Sequence, residues 1–307
     1  RELDENSDQL QSDAITEIEK ALRVSREEIT GIEVLKKGMT NRSFLFTCRG
    51  ERYIMRIPGE GTSRLINRRQ EAAVYQTLDG KDICDEIVSI NPENGYKITK
   101  YLEHARVCDP ADPEDVRACM KKLRAFHEAH LEVAHTFSLF GQIDYYESLW
   151  EGRRSVYRDY AATKMHVMEL KTYLEQQPKV WTLTHIDAVP DNFLFTKESG
   201  ATKIRLIDWE YAGMQDAHVD LAMFCIYAMY ERPQVDALID SYFTEGCPQE
   251  IRTKIYAYIA VCGLLWSNWC EYKSQLGVEF GEYSLKQYRY AKDYYKIVMR
   301  ERAEQEK

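Results

Sequence analysis

The cysteines of this 307-residue sequence lack the spacings that are typical of a metal site or a disulfide framework. The eight cysteines include no C-x-x-C pair, and no histidine lies at zinc-ligand spacing from them. Neither a zinc site nor a disulfide-stabilised secreted domain is therefore indicated. We expect free, mostly buried thiols in a reducing cytoplasm.

A membrane segment and a basic surface are also missing from the sequence. There is no secretory signal peptide and no apolar run of bilayer length, so we expect a soluble, cytoplasmic protein without membrane insertion. The formal net charge of −9 argues against a nucleic-acid partner, because binding a phosphate backbone requires a basic face, and it suits a cationic small molecule better. The chain begins with Arg1 and not with Met, which suggests that an upstream segment has been cut away.

The composition is that of an ordinary globular protein, and the length favours two domains. Hydrophobic residues make up 44% of the chain and charged residues 30%. We predict an α+β fold with a small N-terminal lobe, residues 1–103, of antiparallel sheet and helix, and a larger, mainly helical C-terminal lobe, residues 104–307. The expected strands are 32–35, 43–48, 53–57, 96–101, 182–184, 192–194 and 204–207, and the expected early helices are 12–24 and 64–79.

Polar side chains are concentrated in one apolar stretch, THIDAVPDNFLF. His185, Asp187 and Asn192 form the pattern H-x-D-x-x-x-x-N, and the later strand RLIDWEYAG carries Asp208. If the two strands are neighbours, an amide and a carboxylate meet, and such oxygen ligands suit Mg²⁺ that is shared with substrate phosphates. Asp187 would then accept the proton of a hydroxyl group that is being phosphorylated. The structural alternative is that both aspartates cap turns and that Asn192 satisfies a loop backbone, although buried polar groups without partners are costly.

The segments HIDAVPDNFLF and RLIDWEYAG resemble the catalytic and metal-binding segments of the choline/ethanolamine kinase family, in particular its bacterial choline kinases. The resemblance extends more distantly to aminoglycoside phosphotransferases and protein kinases. It covers most of the chain, because KKGMTNRSFLF is similar to the phosphate loop, YIMRIPGEGT to the basic third strand, LINRRQEAAVY to the helix with Arg and Glu, and LLWSNWCEYKSQLGVEFGEY to the substrate-binding helix. It implies a two-lobed kinase-like fold that binds ATP and Mg²⁺ and phosphorylates an amino alcohol.

The same resemblance implies which residues bind the nucleotide. Arg56 would hold the α- and β-phosphates and Glu71 would orient it, while Asn192 and Asp208 would hold the metal. The alternatives are that Glu71 is an exposed helix charge and that Arg68 is a solvated arginine. The complete set expected around ATP is Gly38, Thr40, Asn41, Arg56, Arg68, Glu71, Lys100, Tyr101 and Leu102, with apolar faces from Ile54, Leu194 and Ile207.

Aromatic residues are the candidates for the acceptor site. Trp266 and Trp269 lie on one helical face and resemble the family's choline-site tryptophans, and Tyr211 resembles its cage tyrosine. A quaternary ammonium is recognised by ring faces, since it cannot donate a hydrogen bond. Core packing is the structural alternative for this pair of indoles. The expected choline-binding set is Asp187, Tyr211, Trp266, Trp269, Tyr230 and Phe280.

One departure from the family bears on the acceptor. The segment VDLAMFCIYAMY lacks an acid that eukaryotic members carry there to balance the substrate cation, so Asp187 or Glu210 would supply the negative partner. This favours choline over ethanolamine, whose ammonium group requires explicit acceptors. The rival hypotheses are a kinase for ethanolamine, an aminoglycoside or another small alcohol, and an inactive kinase-like scaffold that binds nucleotide.

Overall fold

The structure is a computed structural model that describes residues 2–35, 41–59 and 61–307, with side chains from residue 9 onward. The chain forms two compact units. The first contains the chain up to residue 106 together with residues 195–210, and the second contains residues 107–194 and 211–307. The segment 195–210, which the predicted boundary assigns to the C-terminal lobe, thus belongs to the first unit.

The first unit is built on an antiparallel sheet with the strand order β1-β2-β3-β5-β4. The hairpin between β2 and β3 turns at the predicted Arg49-Gly50, where both residues have positive φ. The strand β4 was not expected from the sequence. The elements of this unit are α1 (Glu2–Leu22), β1 (Ile29–Val34), β2 (Asn41–Cys48), β3 (Glu51–Pro58), α2 (Arg68–Leu78), β4 (Ile87–Ile90), β5 (Lys97–Lys100) and, further along the chain, β9 (Ala201–Leu206).

The helix α1 corrects one expectation. The opening residues were predicted to be loose, with the helix starting at residue 12, but the helix begins at Glu2. The opening contains no Pro or Gly, the two residues that most disfavour a helix interior. The helix packs onto the sheet through a shared apolar core, which includes Ala14, Ile18, Phe44, Phe46, Met55 and Ile98.

The second unit is mainly helical, as predicted, and is organised around its longest helix, α8. This helix packs against α4, α5, α6 and α9. Its contact with α9 requires Gly263, because a Cβ there would lie 2.7 Å from the Gln287 carbonyl oxygen. The elements are α3 (Pro113–Glu128), α4 (Leu139–Ser148), α5 (Tyr160–Glu175), β7 (Trp181–Thr184), β10 (Gly213–Asp216), α6 (Val219–Tyr227), α7 (Arg232–Tyr242), α8 (Gln249–Gln275) and α9 (Glu282–Gln305).

Two short strands contain points at which the chain passes between the units, β6 (Arg106–Val107) and β8 (Phe193–Glu198). The strands β7 and β10 pair antiparallel within the second unit, with Thr184 opposite Gly213. This pairing places the residues that follow β7 beside the start of β10. Across the described part of the chain, no helix combines the length and apolar character needed to cross a membrane.

Candidate active site

A buried ion pair connects β3 with α2 in the first unit. Arg56 donates to both carboxylate oxygens of Glu71, at 2.5 and 2.8 Å, and also to the carbonyl oxygen of Gly95 at 2.6 Å. The side chains of Arg56 and Glu71 are 3% and 0% exposed. Although burial raises the pKa of Glu71, the hydrogen bonds and charge of Arg56 outweigh it and lower the pKa. The predicted contact between these residues is therefore present, and Glu71 is not an exposed helix charge.

The ion pair is part of a larger charged network. Arg68 Nη1 lies 3.1 Å from carboxylate oxygens of both Glu71 and Glu210, and Asn41 Nδ2 donates to Glu210 at 2.9 Å. The side chain of Arg68 is 7% exposed, so it is not the solvated arginine that the sequence left open. Burial raises the pKa of Glu210 despite these partners. Arg68 and Asn41 thus engage the carboxylate of Glu210, one of the two acids that the sequence suggested as the partner of a substrate cation.

The residue Asp208 lies next to a lysine that the sequence reasoning did not identify. Lys97 on β5 places its Nζ 3.6 Å from Asp208 Oδ1 and donates to Tyr75 Oη at 2.9 Å. The side chain of Lys97 is 5% exposed and that of Asp208 is 42% exposed. The sequence signal for this lysine was its position in the short strand KITK, whose neighbouring residues are buried. A charge in such a strand needs a partner, which predicts an acid nearby.

The segment expected to meet adenine follows β5. The amide N–H of Lys100 donates to Glu86 O and that of Tyr101 to Arg52 O, both at 3.0 Å, so these two donors already serve the sheet. A cavity of about 770 Å³ in the first unit is lined by Lys100, Tyr101 and Leu102 together with residues of α2 and β4. Of the predicted phosphate loop, Gly38 and Thr40 lie outside the described residues.

The three residues expected to offer apolar faces to the nucleotide are only partly buried within the chain. Ile54 and Ile207 belong to the first unit, and Leu194 belongs to the second. Met55 and Leu206 beside them are fully enclosed. Each of the three retains an accessible apolar surface.

The loop after β7 is held by hydrogen bonds to its backbone. Asp220 accepts from the amide groups of His185 and Ile186 at 3.1 and 2.8 Å, and His185 Nδ1 accepts from the amide of Asp187 at 3.1 Å. Asn192 Nδ2 donates to the carbonyl oxygen of Asp187 at 2.8 Å. These contacts fix Asp187 and Asn192 side by side, and they make His185 and Asp220 structural residues of the loop.

The donor atoms of the predicted metal ligands suit magnesium. Because the Nδ2 group of Asn192 is engaged by Asp187, its amide oxygen is the atom that can bind a cation. The carboxylate of Asp208 is the second oxygen donor and is partly exposed. An amide and a carboxylate are ligands that Mg²⁺ accepts, with water and phosphate oxygens completing its shell. Asn192 belongs to the second unit and Asp208 to the first.

A row of aromatic rings lies in the second unit. Ring centroids are 5.2 Å apart for Tyr211 and Trp266, 5.5 Å for Trp266 and Trp269, and 5.2 Å for Trp269 and Phe280. The first two contacts are edge-to-face, an arrangement that aromatic pairs favour. The two indoles are 7% and 3% exposed, so most of their surface packs against protein. The structure thus brings together four of the predicted ring residues.

The fifth predicted ring residue lies elsewhere in the same unit. Tyr230 packs against Phe224, and its hydroxyl donates to the carbonyl oxygen of Pro110. The row continues instead from Phe280 to Tyr283 and from Tyr283 to Tyr227. Tyr227 was not identified from the sequence as a ring of this row, because its position on α6 depends on how that helix packs.

Comparison with known proteins gives consistent matches. The sequence matches the choline/ethanolamine kinase family over residues 32–261, which is more than half of the chain. It is 26% identical over 262 residues to the protein LicA of Haemophilus influenzae, covering 81% of this chain and 75% of that protein. The solved structure of the choline kinase LicA from Streptococcus pneumoniae is 27% identical and matches with a TM-score of 0.80, covering 93% of this chain and 98% of that one. A structure of LicA in complex with AMP is 27% identical and has a TM-score of 0.79, with coverages of 92% and 97%. These matches confirm the predicted α+β, protein-kinase-like fold.

Proposed function

Because the chain belongs to the choline/ethanolamine kinase family, we propose that it transfers the γ-phosphoryl group of ATP to the hydroxyl of choline, giving phosphocholine. The observation that carries this proposal is the fixed loop that places Asp187 beside Asn192 in the unit that also contains the aromatic row. Asp187 accepts a hydrogen bond from the choline hydroxyl and takes its proton as the new P–O bond forms. The bond between the γ-phosphorus and the bridging oxygen breaks, and ADP leaves.

The charged network of the first unit is the proposed nucleotide side. Arg56 holds the phosphates, and Glu71 and Gly95 fix the orientation of its guanidinium. Arg68 adds positive charge to the same network. Positioning and charge of this kind supply most of the rate in phosphoryl transfer. The AMP complex of LicA supports an adenine nucleotide as the ligand of this family's fold.

The adenine edge and the metal complete the nucleotide side of the proposal. Since the amide groups of Lys100 and Tyr101 serve the sheet, the amide of Leu102 is the donor we assign to adenine. Asn192 and Asp208 hold Mg²⁺, which when bound neutralises charge on the phosphate oxygens.

The aromatic row is the proposed site for the trimethylammonium group. The row offers the faces and edges of neutral rings, those of Tyr211, Trp266, Trp269 and Phe280. A cation of diffuse charge is stabilised by such rings, whereas the ammonium of ethanolamine loses hydrogen bonds to water there. The carboxylate of Glu210 already accepts from Arg68 and Asn41, so in this proposal Asp187 is the acid nearest the substrate. These features favour choline over ethanolamine.

The test is a coupled ADP-release assay on the purified chain with choline, ethanolamine and an aminoglycoside as acceptors, each with and without Mg²⁺. We expect magnesium-dependent ADP release that is greatest with choline, and phosphocholine as the product in mass spectrometry. Greater turnover with ethanolamine or with the aminoglycoside would identify that compound, and not choline, as the acceptor. Thermal stabilisation by ATP and Mg²⁺ without transfer to any alcohol would support the inactive scaffold instead.

A further inference from the structure

Lys97 is a buried charge that contacts Asp208 and Tyr75. Its side chain is 5% exposed, and its ammonium contacts Asp208 Oδ1 at 3.6 Å and Tyr75 Oη at 2.9 Å. Arg56 lies directly opposite it on β3 and is already engaged by Glu71 and Gly95. Burying an ammonium group without partners is costly, so a lysine at this position indicates a specific role beside Asp208.

Tyr75 connects the lysine to the backbone that carries Asp208. Its hydroxyl oxygen accepts from Lys97 Nζ and also from the amide of Trp209 at 3.3 Å, the residue that follows Asp208. Asp208 has a φ of +61°, which a residue other than glycine adopts only when its surroundings hold it. Lys97 thus holds the carboxylate of Asp208 while Tyr75 holds the peptide after it.

We propose that Lys97, anchored by Tyr75, is a positioning residue that sets the orientation in which the Asp208 carboxylate meets magnesium. This inference rests on the proposed function, which makes Asp208 a metal ligand. Groups that bond to a metal ligand and orient it typically change metal affinity or activity 10–100-fold when they are removed. Lys97 itself contacts neither metal nor substrate in this assignment.

The experiment measures ADP binding by calorimetry, with and without Mg²⁺, for the wild type and for Lys97→Met. Methionine keeps a similar length without the charge. We expect ADP binding in the presence of Mg²⁺ to weaken about ten-fold, and binding without Mg²⁺ to change less than about two-fold. Tyr75→Phe, which removes only the hydroxyl, should shift magnesium-dependent binding in the same direction by about three-fold, and it provides the test if Lys97→Met does not fold.

Lys203→Met is the matched control. Lys203 lies on β9, the strand that leads to Asp208, and its side chain is 42% exposed and paired with Asp82. We expect its ADP binding to equal that of the wild type in both conditions. Thermal unfolding of all variants checks the fold.

Three results with Lys97→Met overturn the inference. Equal weakening of ADP binding with and without Mg²⁺ in Lys97→Met would make Lys97 a structural or nucleotide-binding residue. Unchanged binding would remove it from the site, and tighter magnesium-dependent binding would mean that its charge only repels the metal. Failure of the proposed function is distinguishable, because the wild type itself would then transfer no phosphoryl group to choline, whereas the magnesium dependence of ADP binding is measured without any acceptor. A wild type whose ADP binding does not depend on Mg²⁺ would overturn the inference about Lys97.

Discussion

The two units hold their candidate functional residues by different means. In the first unit, Arg56, Glu71, Arg68 and Glu210 are each less than a tenth exposed and stabilise one another as ion pairs. In the second unit, the loop of Asp187 is held by hydrogen bonds to its backbone, and the rings beside Trp266 are neutral. The comparison suggests that a highly charged phosphate ligand is matched by charges fixed in advance, and a diffuse cation by rings.

The difference has an energetic consequence. Removing one partner of a buried ion pair leaves an uncompensated charge and typically costs 3–5 kcal/mol, whereas exposed pairs contribute about 0–1 kcal/mol. Removing a buried neutral ring leaves a cavity and lost contacts, which also costs about 3–5 kcal/mol, but it leaves no uncompensated charge. Substitutions in the first unit should therefore affect folding and nucleotide binding together, and those in the second unit should separate substrate affinity from rate.

The largest expected effect is on the rate, in the second unit. Asp187→Asn keeps the shape of the side chain but removes the base, so we expect kcat to fall roughly 10³-fold while the KM values for choline and ATP change little. Steady-state ADP release measures both. Asp191→Asn in the same loop, where Asp191 accepts from the Tyr227 hydroxyl, is the matched control and should stay within a few-fold of wild type. A near-normal rate in Asp187→Asn would remove this residue from the chemistry.

The next effect is on the stability of the first unit. Glu71→Gln leaves Arg56 and Arg68 without their shared carboxylate, so the free energy of unfolding should fall by about 3–5 kcal/mol, and the KM for ATP should rise. Chemical denaturation measures the first and kinetics the second. Glu93→Gln breaks the exposed pair with Arg69 and should lower stability by less than about 1 kcal/mol. Equal losses of unfolding free energy in the two variants would mean that the buried ion pairs stabilise the protein no more than an exposed pair does.

A third test concerns pH in the second unit, where a buried ionisable group is held in its neutral form. Burial, reinforced by the charge of Lys254 and opposed by that of Asp216, lowers the pKa of His218 to about 4. Between about pH 6.5 and 4 the unfolded chain binds the proton that folded His218 does not, so stability falls as the pH is lowered, by on the order of 3 kcal/mol.

The measurement is the free energy of unfolding at pH 7 and pH 4.5 for wild type and His218→Gln. The variant should lose less stability on acidification than the wild type does. His166→Gln, which removes a half-buried histidine that stacks on Tyr295, should retain the wild-type dependence. Parallel pH dependences for wild type and His218→Gln would contradict the prediction.

The smallest expected effect is on choline affinity. Trp266→Ala removes the ring that contacts both Tyr211 and Trp269, so the KM for choline should rise about ten-fold, and the KM for ATP should not change. Trp269→Ala should act in the same direction. Trp181→Ala, which removes a tryptophan of the same unit that is 48% exposed, is the control. An unchanged choline KM in both row variants would assign the two indoles to core packing.

Much of this arrangement follows from local patterns and from the family resemblance. The strands around Arg56 are apolar segments bounded by the turn at Arg49-Gly50, which is enough to locate them from the sequence, and the Glu71 contact was implied by the resemblance. The loop at Asp187 was recognisable because four polar groups interrupt an apolar run. Such signals are local, so they survive without knowledge of the tertiary structure.

The remaining features depend on contacts between distant parts of the chain. The role of Lys97 depends on the register of β5 against β3 and on its contact with Asp208. Neither can be predicted from composition. Tyr227 enters the aromatic row only because α6 packs beside α9. The early start of α1 was missed because acidic, polar residues read equally well as a loose segment and as an exposed helix.

The return of residues 195–210 to the first unit has a consequence for biosynthesis. When residue 106 leaves the ribosome, Arg68 and Asn41 still lack Glu210, and Tyr75 lacks the amide of Trp209. The sheet and the pairs of Arg56 and Arg68 with Glu71 can form early, but Glu210 joins them only after about a hundred further residues have been translated. The nascent N-terminal portion is therefore expected to need a chaperone or the ribosome surface for longer than its size alone would suggest.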